Sequence, residues 1–154
     1  MSQNTKWATM VPLIGGSAIG CQQATGIKPQ FNMSYSAFAK NEAHLHNYWS
    51  DVDNYTLDST DPKEGKPPLN EKLDFVNSVC PCAGLSMLTT SKPGKDSKVR
   101  QKANDWMRIS TNYVLNEVKP RVLWGENAPT MFTKSGKYMR DELIEMGQDA
   151  GYSV

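Results

Sequence analysis

The chain has 154 residues, 38% of them hydrophobic and 21% charged. That is enough apolar material for one core, and it excludes collagen-like and wholly disordered chains. Seventeen basic against sixteen acidic residues leave a net charge of +1, which excludes a strongly basic nucleic-acid coat but leaves room for a local basic patch.

Short apolar runs alternate with amphipathic stretches, a pattern that predicts an α/β domain on a parallel sheet. The first strand is expected over residues 8–14, ending in Gly15-Gly16, with Pro12 tolerable only near the strand's end. A short helix follows over 18–25 and stops near Gly26. Residues 30–35 read as a second strand. Residues 37–48 read as a helix with Phe38 and Leu45 on about the same face. The segment 58–71, rich in Pro, Gly and charge, reads as a loop. The best central strand covers 73–79 and runs directly into Cys80-Pro81-Cys82. Residues 84–100 read as another loop, broken by Gly84, Pro93 and Gly94. A helix over 103–118 carries Trp106, Ile109 and Tyr113 at spacings of three and four. Residues 121–125 form a strand after Pro120. A last helix over 137–150 sets Met139, Leu143, Met146 and Ala150 on one stripe, with Gly151 as its stop. Tyr152-Ser153-Val154 then reads as the opening of one more strand, so the pattern looks truncated after its fifth strand-helix unit.

No apolar run reaches the roughly 18 residues of a membrane span. The opening stretch MSQNTKWATM lacks the charged-then-apolar pattern of a secretory signal. Cys21, Cys80 and Cys82 cannot make a paired disulfide framework, which points to a reducing, cytoplasmic compartment. Cys80 and Cys82 are also too close for a usual zinc half-site and wrongly spaced for a CxxC redox pair. Charge is uneven. Residues 1–77 hold six basic and eight acidic residues, whereas 91–108 hold six basic and two acidic. A solvated surface is the ordinary reading of that basic stretch, and a loop that grips phosphate is the alternative.

Three features bear chemistry. Gly15-Gly16-Ser17-Ala18-Ile19-Gly20 lies between a predicted strand and a predicted helix, where glycines serve either a tight turn or a ligand approaching the helix's free N–H groups. Cys80-Pro81-Cys82-Ala83-Gly84-Leu85-Ser86 lies beyond a strand's carboxyl end, where parallel sheets collect ligands. A thiol there is either activated by the lysines that follow or buried and inert. Glu126-Asn127 follows the run Val122-Leu123-Trp124, as either a partly desolvated acid or an ordinary loop carboxylate. His44 and His46 point to different helix faces and lack partners for a metal.

Taken together and in order, these features resemble the DNA cytosine-5 methyltransferases. Pro81-Cys82 with Gly84-Leu85-Ser86 resembles that family's Pro-Cys-Gln turn and downstream Gly/Ala-Phe-Ser. Glu126-Asn127-Ala128 resembles its Glu-Asn-Val, and Lys119-Pro120-Arg121 its basic-Pro pair before that strand. Gly15-Gly16 with Gly20 resembles the end of its Phe-x-Gly-x-Gly-Gly cofactor turn. The resemblance implies a Rossmann-like methyltransferase sheet with flanking helices, covering the front part of a catalytic domain over 1–154, without the target-recognition domain. It implies S-adenosylmethionine as cofactor, bound by Ile14, Gly15, Gly16, Tyr35, Asp58 and Pro81. Cys82 would be the nucleophile and Glu126 the acid, with no metal.

By the same resemblance Ser86, Lys92, Lys95 and Lys98 would contact double-stranded DNA, and Asn127 would help hold the catalytic turn. A second chain or a further C-terminal region would complete the fold. The setting would be the cytoplasm of a bacterium, or of a bacterium infected by a virus protecting its own DNA. The sequence departs from the family at Val11 (Phe), Leu13 (the first Gly), Ser34 (the acidic residue for the ribose hydroxyls) and Ala83 (Gln). Those departures keep open a non-catalytic or split-subunit module that binds nucleotide or DNA on the same fold.

Overall fold

The computed structural model describes residues 5–79, 81, 85 and 98–154, and the backbone alone over 98–103. The chain divides into two compact units, residues 1–79 with 118–125, and 80–117 with 126–154.

The first unit carries a five-stranded parallel sheet. Its strands are β1 (Trp7–Met10), β2 (Phe31–Ser34), β3 (Asp53–Thr56), β4 (Phe75–Val79) and β5 (Val122–Glu126), in the order β3-β2-β1-β4-β5. Helix α1 (Gly16–Thr25) links β1 to β2, and α2 (Ala39–Tyr48) links β2 to β3. The chain then returns to the other side of β1 for β4, so the winding direction reverses between β1 and β4. This α/β architecture is compatible with a Rossmann-like fold.

All four residues of β1 are buried, as expected of an inner parallel strand covered on both faces. The strand is shorter than the apolar run suggests, which extends to residue 14. Val11 takes φ 49° and Pro12 has no N–H, so the strand ends at Met10 and the Val11 amide makes the last bond to β2, on the Met33 carbonyl. The helix predicted over 18–25 is α1, closed at Gly26 with φ 74°. The core of this unit gathers Trp7, Ala18, Leu45, Trp49 and Val52. Trp7 stacks on Phe75 at 5.2 Å between ring centroids and meets Trp49 edge-on at 6.4 Å. Both indole N–H groups stay satisfied, Trp7 donating to the Ile27 carbonyl at 3.0 Å and Trp49 to Gln22 Oε1 at 2.7 Å.

A polar row crosses this apolar layer. Strand register sets Asn32 beside Asn54, Thr9 beside Asn32, and Thr9 beside Asn77. Asn32 Nδ2 donates to Asn54 Oδ1 at 2.7 Å, and Asn77 Nδ2 donates to Ser17 Oγ in the first turn of α1 at 2.9 Å. Thr9 Oγ1, Asn32 Oδ1 and Asn77 Oδ1 are buried without a hydrogen-bond partner.

Strand β3 has no counterpart in the sequence reading, because Asp53-Asn54-Tyr55-Thr56 has no apolar run. Its parallel pairing with β2 defines it. The loop expected over 58–71 is irregular throughout, and residues 152–154 are not a strand.

In the second unit α3 (Lys98–Tyr113) continues as a π-helical turn over Val114–Val118, and α4 spans Lys137–Asp149. Residues 98–100, expected in a loop, belong to α3. Its buried face also differs from expectation. Ile109 is exposed, whereas Asn104, Met107, Ser110 and Val114 are buried alongside Tyr113. Met107 packs with Leu85 and Met139. Arg108 joins α3 to Glu142 of α4, with Nη2 to Oε2 at 2.7 Å. Among the described residues no helix is long and apolar enough to cross a membrane.

Candidate functional site

The carboxyl end of β1 opens into a turn of unusual backbone shape. Val11, Leu13 and Gly15 have φ of 49°, 51° and 80°. Left-handed conformations cost an ordinary residue about 1–2 kcal/mol, so a β-branched Val and a Leu there need outside support. Leu13 holds a left-handed conformation that glycine takes at no steric cost. Gly15 needs to be glycine twice over, for its φ and because a Cβ would come within 2.5 Å of Leu45 Cδ1. Gly16 is different. A Cβ there would meet nothing within 4 Å, so the backbone is open on that side. Ile14 is 74% exposed at the tip of the turn. The first turn of α1 has no side-chain cap and no acidic residue, so its amides remain available to an acceptor.

Helix α2 supplies the support. His44 Nε2 donates to the Ile14 carbonyl at 2.7 Å, and Glu42 Oε1 accepts the Leu13 amide at 3.4 Å. Leu45 fills the space beneath Gly15. The backbone closes the rest, with the Val11 amide on the Met33 carbonyl and the Gly15 amide on the Pro12 carbonyl, both at 2.8 Å.

Glu42 is also bound to the end of β2. Ser34 Oγ donates to Glu42 Oε1 at 2.7 Å. Only 2% of Glu42 is exposed. Burial pushes its carboxyl up to about 7, against the pull of the Ser34 hydroxyl and the Leu13 amide. Beside it lies a cavity of about 20 Å³ lined by Asn32, Ser34, Tyr35, His46, Asn54 and Tyr55 among others. Burial first, and His44 second, lower the His46 pKa. Sequence reading missed Glu42. One signal was legible, since Glu42, Leu45 and Trp49 are spaced three and four apart and an acid there lies on the buried stripe.

The expected cofactor residues are partly gathered here. Ile14, Gly15 and Gly16 form the turn. Tyr35, directly after β2, is buried. Asp58 lies two residues beyond β3, and both its oxygens are engaged by Ser36, the amide at 2.8 Å and Oγ at 2.7 Å. Burial pushes that carboxyl up, but the Ser36 bonds outweigh it and hold it below the usual range. Pro81 is half-buried, two residues beyond β4. Cys80, Cys82, Ala83, Gly84, Ser86, Lys92 and Lys95 lie outside the described residues. Lys98 begins α3. Glu126 ends β5 and is exposed, so burial by the protein does not desolvate it. Asn127 Nδ2 lies 3.5 Å from Met107 Sδ, and its Oδ1 accepts the Ala128 amide at 2.8 Å. Among the described residues no cluster of His, Cys, Asp and Glu could hold a metal.

No protein-family model matches the chain, and no curated protein matches it.

Proposed function

We propose that the chain carries the nucleotide-binding and catalytic elements of a DNA cytosine-5 methyltransferase that uses S-adenosylmethionine. The observation that carries this reading is positional. In a parallel sheet of order β3-β2-β1-β4-β5, the left-handed glycine turn follows β1, Pro81-Cys82 follows β4, and Glu126 closes β5. Ligands of such sheets collect beyond the carboxyl ends of the strands, where the winding reverses.

The residues of the turn fit an adenosyl cofactor at the backbone level, with Gly16 open, Ile14 exposed and the α1 amides uncapped. When bound, S-adenosylmethionine supplies an electrophilic methyl group. Pro81 shapes the turn that presents the Cys82 thiolate. The thiolate adds to carbon 6 of a cytosine flipped out of the duplex, which makes carbon 5 nucleophilic; carbon 5 would take the methyl group as the donor's sulfur–methyl bond breaks, and loss of the carbon 5 proton to solvent would expel the Cys82 thiolate and restore the ring. Glu126, protonated, hydrogen-bonds to ring nitrogen 3 and disperses the charge that builds there. Ser86, Lys92, Lys95 and Lys98 meet the phosphate backbone.

The test is to trap the chain, together with the second chain or further region that completes the fold, on duplex DNA carrying 5-fluorocytosine, with S-adenosylmethionine labelled in its methyl group. A labelled adduct that withstands denaturation is expected, and it should vanish in Cys82→Ser. An adduct that persists in that variant overturns the assignment. Glu126→Gln should slow methylation by about 10²–10⁴-fold with DNA binding retained, and a rate within about threefold of the unchanged chain removes the acid role.

Ser34 favours a second reading, because it leaves the end of β2 without a carboxylate of its own. On that reading the chain is a nucleotide- or DNA-binding module of the same fold that works with a second chain. S-adenosylhomocysteine binding without adduct formation would favour it.

A further inference from the structure

We infer that Glu42 is a positioning residue that holds the β1–α1 turn in its ligand-binding shape, replacing from α2 the freedom that a glycine at position 13 would have supplied. The inference rests on the proposed cofactor role of that turn. Leu13 is left-handed at φ 51° without being glycine. With Ile14 and Gly15 held by α2, rotation of φ at Leu13 to an ordinary value would turn the preceding peptide plane, swing the Leu13 amide off Glu42 and open the bond from the Gly15 amide to the Pro12 carbonyl. Glu42 opposes this at one atom. Its Oε1 accepts from the Leu13 amide and from Ser34 Oγ, so one carboxyl oxygen ties the turn after β1 to the end of β2. At 2% exposure it cannot trade these bonds for water without leaving the core. His44 on Ile14 and Leu45 under Gly15 hold the next two residues from the same helix, so α2 is the template on which the turn is formed. Glu42 touches no ligand in this scheme and acts through the backbone of residues 13–15.

A merely structural Glu42 would lower stability without a specific link to residue 13. The proposed role makes Leu13→Gly the remedy for its loss. The experiment measures S-adenosylhomocysteine binding by calorimetry, and hydrogen exchange of the Gly15 amide by NMR, on the 154-residue chain and its variants. Glu42→Leu should weaken binding by about tenfold or more, the scale of one left-handed residue's strain, and should speed Gly15 exchange while core amides such as Trp7 stay protected. Glu42→Gln keeps an acceptor oxygen and should recover most of both losses. The double variant Glu42→Leu with Leu13→Gly should recover them as well. If Leu13→Gly fails to rescue Glu42→Leu in both measurements, or if Glu42→Leu leaves Gly15 exchange unchanged, the positioning role is overturned. If the unchanged chain does not bind S-adenosylhomocysteine, the cofactor reading fails instead, and Gly15 exchange still decides whether Glu42 shapes the turn.

Discussion

Glu42 shows how one side chain makes the fold respond to pH. Its ordinary carboxyl pKa of 4.5 rises to about 7 in the folded chain because burial disfavours the charge. The folded state therefore holds a proton that the unfolded state has released across that interval. Its contribution is fully present below about pH 4.5 and is lost as pH rises through about 7, a change of about 3 kcal/mol. Urea unfolding of the chain and of Glu42→Gln at pH 5 and pH 8 should show the unchanged chain losing more stability across that interval, since the amide has no proton to lose. Equal losses in the two chains would mean that Glu42 is ionised in the fold throughout. Nothing about Glu42 taken alone marks it for this role. A glutamate on a short, polar helix reads as solvated until its spacing to Leu45 and Trp49 is set against their burial.

At the scale of elements, the turn between β1 and α1 is held at three successive residues, Leu13, Ile14 and Gly15, from α2. Gly15→Ala should destabilise the chain by about 1–2 kcal/mol for the left-handed backbone alone, and further because the new methyl displaces Leu45. Denaturant unfolding would read the sum, and an unchanged midpoint would show that the turn does not take this shape. Much of the element order was legible in the sequence. Apolar runs announced β1, β2, β4 and β5, and breakers such as Gly26 and Gly151 closed the helices. What stayed hidden has physical causes. β3 owes its existence to hydrogen bonds with β2 and not to its own side chains. The apolar run overstates β1, because Val11 continues the run while its φ ends the strand. On α3, bulk suggested the buried face, yet Ile109 faces water and the small polar Ser110 faces inward. The turn at 11–16 was legible through Gly15 and Gly16. The left-handed Leu13 was not, because the support that permits it comes from a helix nearly thirty residues later.

Among the described residues the sheet ends at β5 on the far side of the winding from β3. β5 is its last strand, with Val122 55% and Trp124 48% exposed. Together with Cys21, Phe75 and the paired side chains of Asp74 and Arg121, they line an open, largely apolar groove of about 540 Å³. Exposed Val122 and Trp124 beside a largely apolar groove favour association with other chains. Sedimentation at increasing concentration should show self-association of the unchanged chain, and Trp124→Lys should shift it toward the monomer. Identical behaviour of the two would mean that this margin is not adhesive.

The row formed by Asn54, Asn32, Thr9 and Asn77 gives those short strands something their apolar neighbours cannot, a mark of alignment. Strands of only four or five residues leave few side chains to fix their alignment. A slip of one residue would turn an amide or hydroxyl to the opposite face and strand it among hydrocarbon, away from Asn54 or Ser17. The buried atoms without a partner at Thr9, Asn32 and Asn77 are a cost that this alignment carries. Valine or leucine along the same row would make a drier sheet that also tolerates the wrong ones.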